Sequence, residues 1–288
     1  MPSLYDVIII GAGPAGISAG IYVKRSGKKT LILHYGNSNL EKTKKIDNYY
    51  GFINGIDGKT LYNNGIEQAK KLDIDIKNEE VLNIEKSENK FLVETVNEKY
   101  IGQAIIIATG SKKLRPNING IERFEGKGIS YCAICDGFFY KNKNVAVLGN
   151  GNFAINEVNY LKNIANNVTI LTNGLEINNK NSNIQNIKIN TKHIKQINGE
   201  TKLQNIEFED GEKLDIDGIF IAIGEAGGAN FAKNMGIILK NDNIVVDENM
   251  ETNVKGVYAC GDIVGGLLQV NKSVYEGAVA GLSAVKKI

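Results

Sequence analysis

The chain is poor in metal-binding side chains: its 288 residues include three cysteines and two histidines. A four-ligand zinc site would have to draw on Cys132, Cys135, Cys260, His34 and His193, which share no ligand-like spacing, so no metal is expected. An excess of charge of either sign is nearly absent as well. Lys and Arg number 34 against 32 Asp and Glu, a net +2, which is too small to draw nucleic acid or a membrane surface. The basic run KTKK, Lys42 to Lys45, reads as a solvated face. No apolar run approaches the roughly 18–20 residues of a membrane helix. The opening MPSLYDVIII has neither a basic segment nor a cleavage site, so a signal peptide is not expected and a cytoplasmic location is. Thiols in that compartment are kept reduced, so a disulfide there is expected to be catalytic rather than structural.

What the chain does have is 42% hydrophobic residues, 23% charged residues and 32 glycines. These fit a soluble globular protein with many tight turns, and the length allows two domains with ordinary cores. One unit occurs twice. Asp6 to Ile10 is an apolar run that enters GAGPAG (Gly11 to Gly16), followed by a helical stretch to about Arg25 and the run Thr30 to Leu33. Val145 to Leu148 likewise enters GNGNFA (Gly149 to Ala154), followed by a helical stretch to about Ile164 and the run Val168 to Leu171. Each copy is strand, glycine turn, helix, strand, the dinucleotide-binding βαβ unit. Gly11 and Gly149 allow the sharp turn, and Gly13 and Gly151 let a pyrophosphate approach the backbone. Gly16 and Ala154 permit close packing of helix on strand. The acid that usually holds a ribose about 20 residues on is missing from both copies. The first second-strand ends at His34 and Tyr35, with no acid before Glu41. The other ends at Thr172, Asn173 and Gly174, with Glu176 the nearest carboxylate. That weakens a simple NAD assignment.

AIIIATGS (Ala104 to Ser111) reads as a buried strand ending in a small-residue turn. TNVKGVYACGD (Thr252 to Asp262) reads as a turn, a short strand and an acid placed to accept ligand hydroxyls. The chain leaves the first unit between Lys112 and Pro116 and returns near residues 241–246. The expected fold is therefore α/β, two tandem Rossmann-like dinucleotide-binding domains with the second inserted into the first. The boundaries are 1–112, 113–243 and 244–288. Asp210–Gly211 between two short apolar runs signals a hairpin, and Asn178 to Asn190 is expected to form short turns. Two of the three cysteines stand together in SYCAICDGFF, residues 130–139. At that spacing Cys132 and Cys135 can close a disulfide, hold half a metal site, or fill a core.

Together these residues resemble the low-molecular-weight thioredoxin reductase family over nearly the whole chain. GAGPAG, IIATG, CAICDGFFYKNKNVAVLGNGNFA, FIAIG (220–224) and GVYACGD follow the family's order and spacing. The resemblance implies FAD in the first domain, with a pyridine-nucleotide site and the redox cysteines in the inserted one. It implies a reversible Cys132–Cys135 disulfide, Cys135 facing the flavin and Cys132 attacking a protein disulfide, with Asp136 as acid/base or, more plainly, a helix N-cap. A thiol near a helix start has its thiolate stabilised, which suits exchange chemistry. Cys260 reads as structural. For FAD, the carry-over gives Gly11, Gly13, Pro14, Ala15 and Gly16 at the pyrophosphate. Asn48, Thr109 and Gly110 fall near the flavin, Gly261 and Asp262 at the ribityl or phosphate region, and Gln269 and Val270 at the isoalloxazine edge.

Some motifs depart from the family. The basic run that grips the NADPH 2′-phosphate is replaced by TNGLEINN (172–179), with no Lys or Arg between Lys162 and Lys180. EAGGAN (225–230) replaces a Pro-Asn turn, GNSNLEK (36–42) replaces a Gly-Gly-Gln, and Leu268 replaces an Arg one residue early. Such losses resemble the ferredoxin-dependent flavin thioredoxin reductases, although that branch also tends to lose the second glycine turn, which is intact here. The expectation is an FAD-dependent disulfide reductase acting on thioredoxin or a thioredoxin-like protein, with reduced ferredoxin as donor and a homodimer as the assembly. An ordinary NAD(P)H-dependent thioredoxin reductase and a redox-sensing flavoprotein without turnover are the alternatives.

Overall fold

The computed structural model describes residues 2–36, 38–110, 116–178, 187–224, 227–241 and 243–288; the side chains of Lys42 and Cys135 lie outside the described atoms. The chain forms two compact units, Met1–Lys112 with Gly227–Ile288, and Lys113–Ala226.

The first segment runs β1 (Ser3–Ile10), α1 (Pro14–Arg25), β2 (Thr30–His34), α2 (Gly58–Lys71), β3 (Asp75–Asn78), β4 (Val81–Ser87), β5 (Lys90–Thr95) and β6 (Lys99–Ile107). β1 lies between β2 and β6, both parallel to it, with Ile9 opposite Ile32 and Ile106. A parallel strand covered on both faces needs an unbroken apolar run, and VIII supplies it: Val7 to Ile10 are all buried. β6 changes partner midway. Residues 99–102 pair antiparallel with β5, and Ile105 to Ile107 pair parallel with the returning strand described below.

The second unit contains α3 (Ile121–Phe124), β7 (Ile129–Ser130), α4 (Ala133–Asp136), β8 (Asn144–Leu148), α5 (Asn152–Leu161), β9 (Asn167–Leu171) and β10 (Lys188–Asn190). Then come β11 (Ile194–Gly199), β12 (Leu203–Phe208), β13 (Lys213–Asp215) and β14 (Gly218–Ile221). Its parallel sheet has the order β10-β9-β8-β14-β7, beside an antiparallel β11-β12-β13 sheet. The expected hairpin is β12–β13. Of the expected turns at 178–190, residues 179–186 lie outside the described residues, and Lys188–Asn190 is an edge strand on β9.

The chain returns through α6 (Gly228–Asn234), β15 (Leu239–Lys240), β16 (Asn243–Ile244), β17 (Val257–Ala259) and α7 (Val270–Lys286). Gly227 onward thus belongs with the first segment, so the inserted unit does not extend to residue 243. The reason is packing. A Cβ on Gly228 would lie 2.4 Å from Thr109 Oγ1 and 3.0 Å from Ile107 and Ile263, so α6 belongs to the first core. α7 lies against α1 at backbone distance: a Cβ on Gly277 would lie 2.2 Å from Ala15 O, and one on Gly281 would lie 2.7 Å from Ala19 O.

The two units repeat one arrangement. Gly11 N donates to Leu33 O at 2.7 Å and Ala108 N to Ile10 O at 2.8 Å; Gly149 N donates to Leu171 O at 3.0 Å and Ala222 N to Leu148 O at 2.8 Å. Among the described residues no helix is long and apolar enough to cross a membrane.

Candidate functional site

The glycines of the first turn serve different ends. Gly11 has φ +114°, and a Cβ there would lie 2.3 Å from Ala108 O; one on Gly16 would lie 1.9 Å from Gly11 O. Both must be glycine for the protein's own packing. Gly13 need not be: its φ is −72° and a Cβ would meet nothing within 4 Å among the described residues. It leaves open space at the start of α1, where Pro14 opens the helix, no side chain caps it and no acid occupies the first turn. The unused N–H donors and the positive end of the helix dipole fit a diphosphate. Gly110 has φ +70°, and among the described residues a Cβ there would meet nothing within 4 Å. Where a ribose acid usually stands, His34 closes β2. Among the described residues its buried Nδ1 has no partner, and burial lowers its pKa. A neutral imidazole there can exchange a hydrogen bond with a ligand hydroxyl but brings no charge.

Asn48 and Gln269 meet: Asn48 Nδ2 donates to Gln269 Oε1 at 2.8 Å. Gln269 is the N-cap residue of α7 and makes no capping bond, so the N–H groups beside Val270 have no side-chain cap. Gly261, at φ +82°, brings its turn against α1, where a Cβ would lie 2.9 Å from that of Ala15. Gly261 N donates to Glu276 Oε2 at 2.9 Å, and Lys272 Nζ lies 3.0 Å from the same oxygen and donates to Gly261 O at 3.0 Å. This ion pair fixes the turn from which Asp262 follows. Sequence reasoning passed over Lys272 and Glu276; their trace was a Lys–Glu pair four apart in a helix rich in small and apolar residues. These residues offer room for a diphosphate at Gly13 and polar groups at Asn48, Asp262 and Gln269.

In the second unit Cys132 is disulfide-bonded and Cys260, in the first, is a free buried thiol. The Cys135 side chain, expected to be the other half of the pair, lies outside the described atoms. Cys132 is buried at the start of α4. Its N–H donates to Ser130 Oγ at 3.1 Å, and the Ser130 hydroxyl donates to Asp136 Oδ2 at 2.6 Å. Asp136 precedes a 3-10 turn, Gly137–Tyr140, but makes no capping bond to it. The N-cap alternative is therefore not realised, and Ser130 holds the carboxylate instead. Ala133 N donates to Glu157 Oε2 at 2.6 Å. Phe138 and Phe139, directly after the pair, expose 75% and 69% of their surface, unusual for phenylalanine. Burial pushes the Cys260 thiol far up, so it stays protonated and inert.

The second glycine turn has the same backbone need at Gly149, where a Cβ would lie 2.0 Å from Ala222 O. The segment after β9 folds back on it. Asn150 Nδ2 donates to Glu176 O at 2.8 Å, and Asn178 N donates to Asn150 O at 2.8 Å. No cation stands in that segment. Nearby Lys192, next to Thr191 whose carbonyl accepts from Gly174 N, is paired with Asp210 and Glu212.

A family model described as pyridine nucleotide-disulphide oxidoreductase matches residues 5–277. A thioredoxin reductase of Ureaplasma parvum serovar 3 is 36% identical over 302 residues, covering 99% of this chain and 97% of its own. Among solved structures, the atypical thioredoxin reductase TRi of Desulfovibrio vulgaris Hildenborough matches with a TM-score of 0.92 at 35% identity, covering 98% of this chain and 97% of that one. A ferredoxin-flavin thioredoxin reductase of Clostridium acetobutylicum matches with a TM-score of 0.74 at 30% identity, covering 100% of this chain and 99% of that one. These likenesses place the chain in the pyridine nucleotide-disulphide oxidoreductase family, as an FAD-dependent oxidoreductase of the low-molecular-weight thioredoxin reductase type.

Proposed function

We propose that this protein reduces the disulfide of thioredoxin or a thioredoxin-like protein, as a cytoplasmic homodimer, and that a reduced ferredoxin or similar one-electron carrier supplies its electrons. The observation that carries the first part is the disulfide-bonded Cys132 framed by Ser130 and Asp136. The Gly11–Gly16 turn would hold FAD, and the flavin, once reduced, would supply the two electrons for that bond. Cys132 pairs with Cys135; once reduced, Cys132 attacks the partner's disulfide and Cys135 resolves the mixed disulfide. Asp136 gives and takes the proton, its carboxylate aimed by the Ser130 hydroxyl. Phe138 and Phe139 offer the apolar surface on which the partner docks.

The donor assignment rests on charge. A 2′-phosphate carries about two negative charges, and each charge-assisted contact to it is worth roughly 1.5–3 kcal/mol. Losing two or three costs a hundredfold or more of NADPH affinity, since about 1.4 kcal/mol is tenfold. No Lys or Arg lies between Lys162 and Lys180, and Lys192 is already engaged by two carboxylates. The ferredoxin-flavin enzyme among the similar structures agrees with this reading. The test mixes the oxidised protein anaerobically with NADPH, NADH and reduced ferredoxin in turn and follows the flavin band. Fast bleaching by ferredoxin and slow bleaching by NADPH are expected; fast bleaching by micromolar NADPH would return the protein to the ordinary NADPH-dependent class.

A further inference from the structure

Glu157 is an acid in the wrong place for a surface helix. It leaves 4% of its surface exposed, among the buried Phe153, Ala154, Val158 and Leu161 of α5. Burying a carboxyl is unfavourable unless it is bonded, and an apolar side chain would suit this face better. Its Oε2 instead accepts the Ala133 N–H at 2.6 Å, and Ala133, fully buried, is the residue after Cys132. Ala133 N is joined to Cys132 through one carbonyl carbon, so covalent geometry keeps the Cys132 sulfur within roughly 7–8 Å of that oxygen. A carboxyl on the helix of the second glycine turn thus grips the first amide of the redox turn. Burial pushes its pKa up to about 7, against the lowering pull of the Ala133 N–H. α5 packs against α4, β8 and β9. β8 and β9 carry no titratable side chain; the titratable residues on and beside α4 are Cys132, Cys135 and Asp136, with Tyr140 closing the turn that follows.

We infer that Glu157 is a positioning residue of the redox turn whose carboxylate takes up a proton when the disulfide at Cys132 is reduced. The inference rests on the proposed reading of that disulfide as redox-active. On reduction the S–S bond breaks. Two electrons from the reductase's own flavin and one proton leave one thiol and one thiolate. The new negative charge close to a buried carboxylate favours its neutral form, so Glu157 takes a second proton from water. When a partner disulfide reoxidises the pair, two electrons leave with the partner, the S–S bond re-forms and Glu157 releases its proton.

The test is a thiol–disulfide equilibrium of the full-length FAD protein against a dithiothreitol buffer, from about pH 5.5 to 8.5, for the wild type, Glu157→Gln and Glu157→Ala. Gln keeps an acceptor for the Ala133 N–H and the side-chain volume, and it cannot ionise. Below about pH 6 the wild-type carboxyl is protonated in both redox states, so wild type and Glu157→Gln are expected to coincide. Above about pH 8 the Gln variant's disulfide should be the easier to reduce, by roughly three- to tenfold in the equilibrium constant, because the wild type must reduce beside a carboxylate. Glu157→Ala, which loses the acceptor, should differ from wild type at every pH. Parallel pH profiles for wild type and Glu157→Gln, in a protein that gains two thiols, would overturn the role of Glu157 alone. A wild type that gains no thiols overturns the redox-active disulfide as well.

Discussion

Asn48 Nδ2 donates to Gln269 Oε1 across 2.8 Å, joining two side chains 221 residues apart in sequence. Both are expected beside the flavin, where the bond would make them act as one unit. A neutral hydrogen bond is worth about 0.5–1.5 kcal/mol net, so Asn48→Ala and Gln269→Leu should each weaken FAD binding about two- to twelvefold. Residues that share a bond are not additive. The double variant should therefore lose less than the product of the two, and fluorescence titration of the apoprotein with FAD would reveal an additive result if the pair does not act together.

The turn glycines separate folding from cofactor binding. A Cβ on Gly16 would sit 1.9 Å from Gly11 O, while one on Gly13 would meet nothing within 4 Å. Gly16→Ala should lower the melting temperature of the apoprotein by several degrees, or prevent folding, because backbone cannot yield as a side chain does. Gly13→Glu should leave the apoprotein's melting temperature within about a degree and cut FAD content more than tenfold, by filling the diphosphate's place with a like charge. Full FAD occupancy in Gly13→Glu would remove the diphosphate from this turn.

Much of this architecture was legible because it is local. Apolar runs entering glycine turns locate β1, β8 and both βαβ units within two or three residues, since a strand buried on both faces allows little else. The return of the chain was not legible. α6 joins the first core through a contact between Gly228 and Thr109, residues 119 apart, and no local pattern carries such information. Ser130, Glu157, Lys272 and Glu276 were missed for the same reason. Each acts through a partner brought by tertiary packing, and in sequence each is an ordinary polar residue. The N-cap alternative for Asp136 gave way because Ser130, six residues upstream, competes for its carboxylate.

Phe138 and Phe139 meet edge to face at 6.4 Å and remain exposed just after the disulfide-bonded Cys132 and its turn. Exposed aromatics add little to folding but dominate docking when a partner covers them. Phe138→Ala and Phe139→Ala should each raise the KM for a thioredoxin about three- to thirtyfold, with kcat within twofold and the melting temperature within about two degrees. Steady-state reduction of thioredoxin beside reduction of a small aromatic disulfide gives the contrast: a small substrate needs no such surface and should be turned over at the wild-type rate. Equal losses with both substrates would place the aromatics in the chemistry rather than in docking.

The last prediction tests why NADPH should be a poor donor. Leu175 and Glu176 are exposed in the segment that folds back on the second glycine turn, and Glu176 contributes its carbonyl, not its carboxylate, to the bond with Asn150. Leu175→Arg with Glu176→Arg therefore adds two cations without removing that bond. Each charge-assisted contact to a phosphate is worth about tenfold or more in affinity, and the benefit should go to NADPH and not to NADH, which lacks the 2′-phosphate. The expected result is a rise in NADPH affinity of about a hundredfold and a change in NADH affinity below about twofold, both read by calorimetric titration of the oxidised protein. Asn150→Ala, which frees the turn from the segment, should instead strengthen both nucleotides alike. A double-Arg variant that gains nothing for NADPH would mean that charge is not what is missing, and that the covering segment itself keeps the nucleotide out.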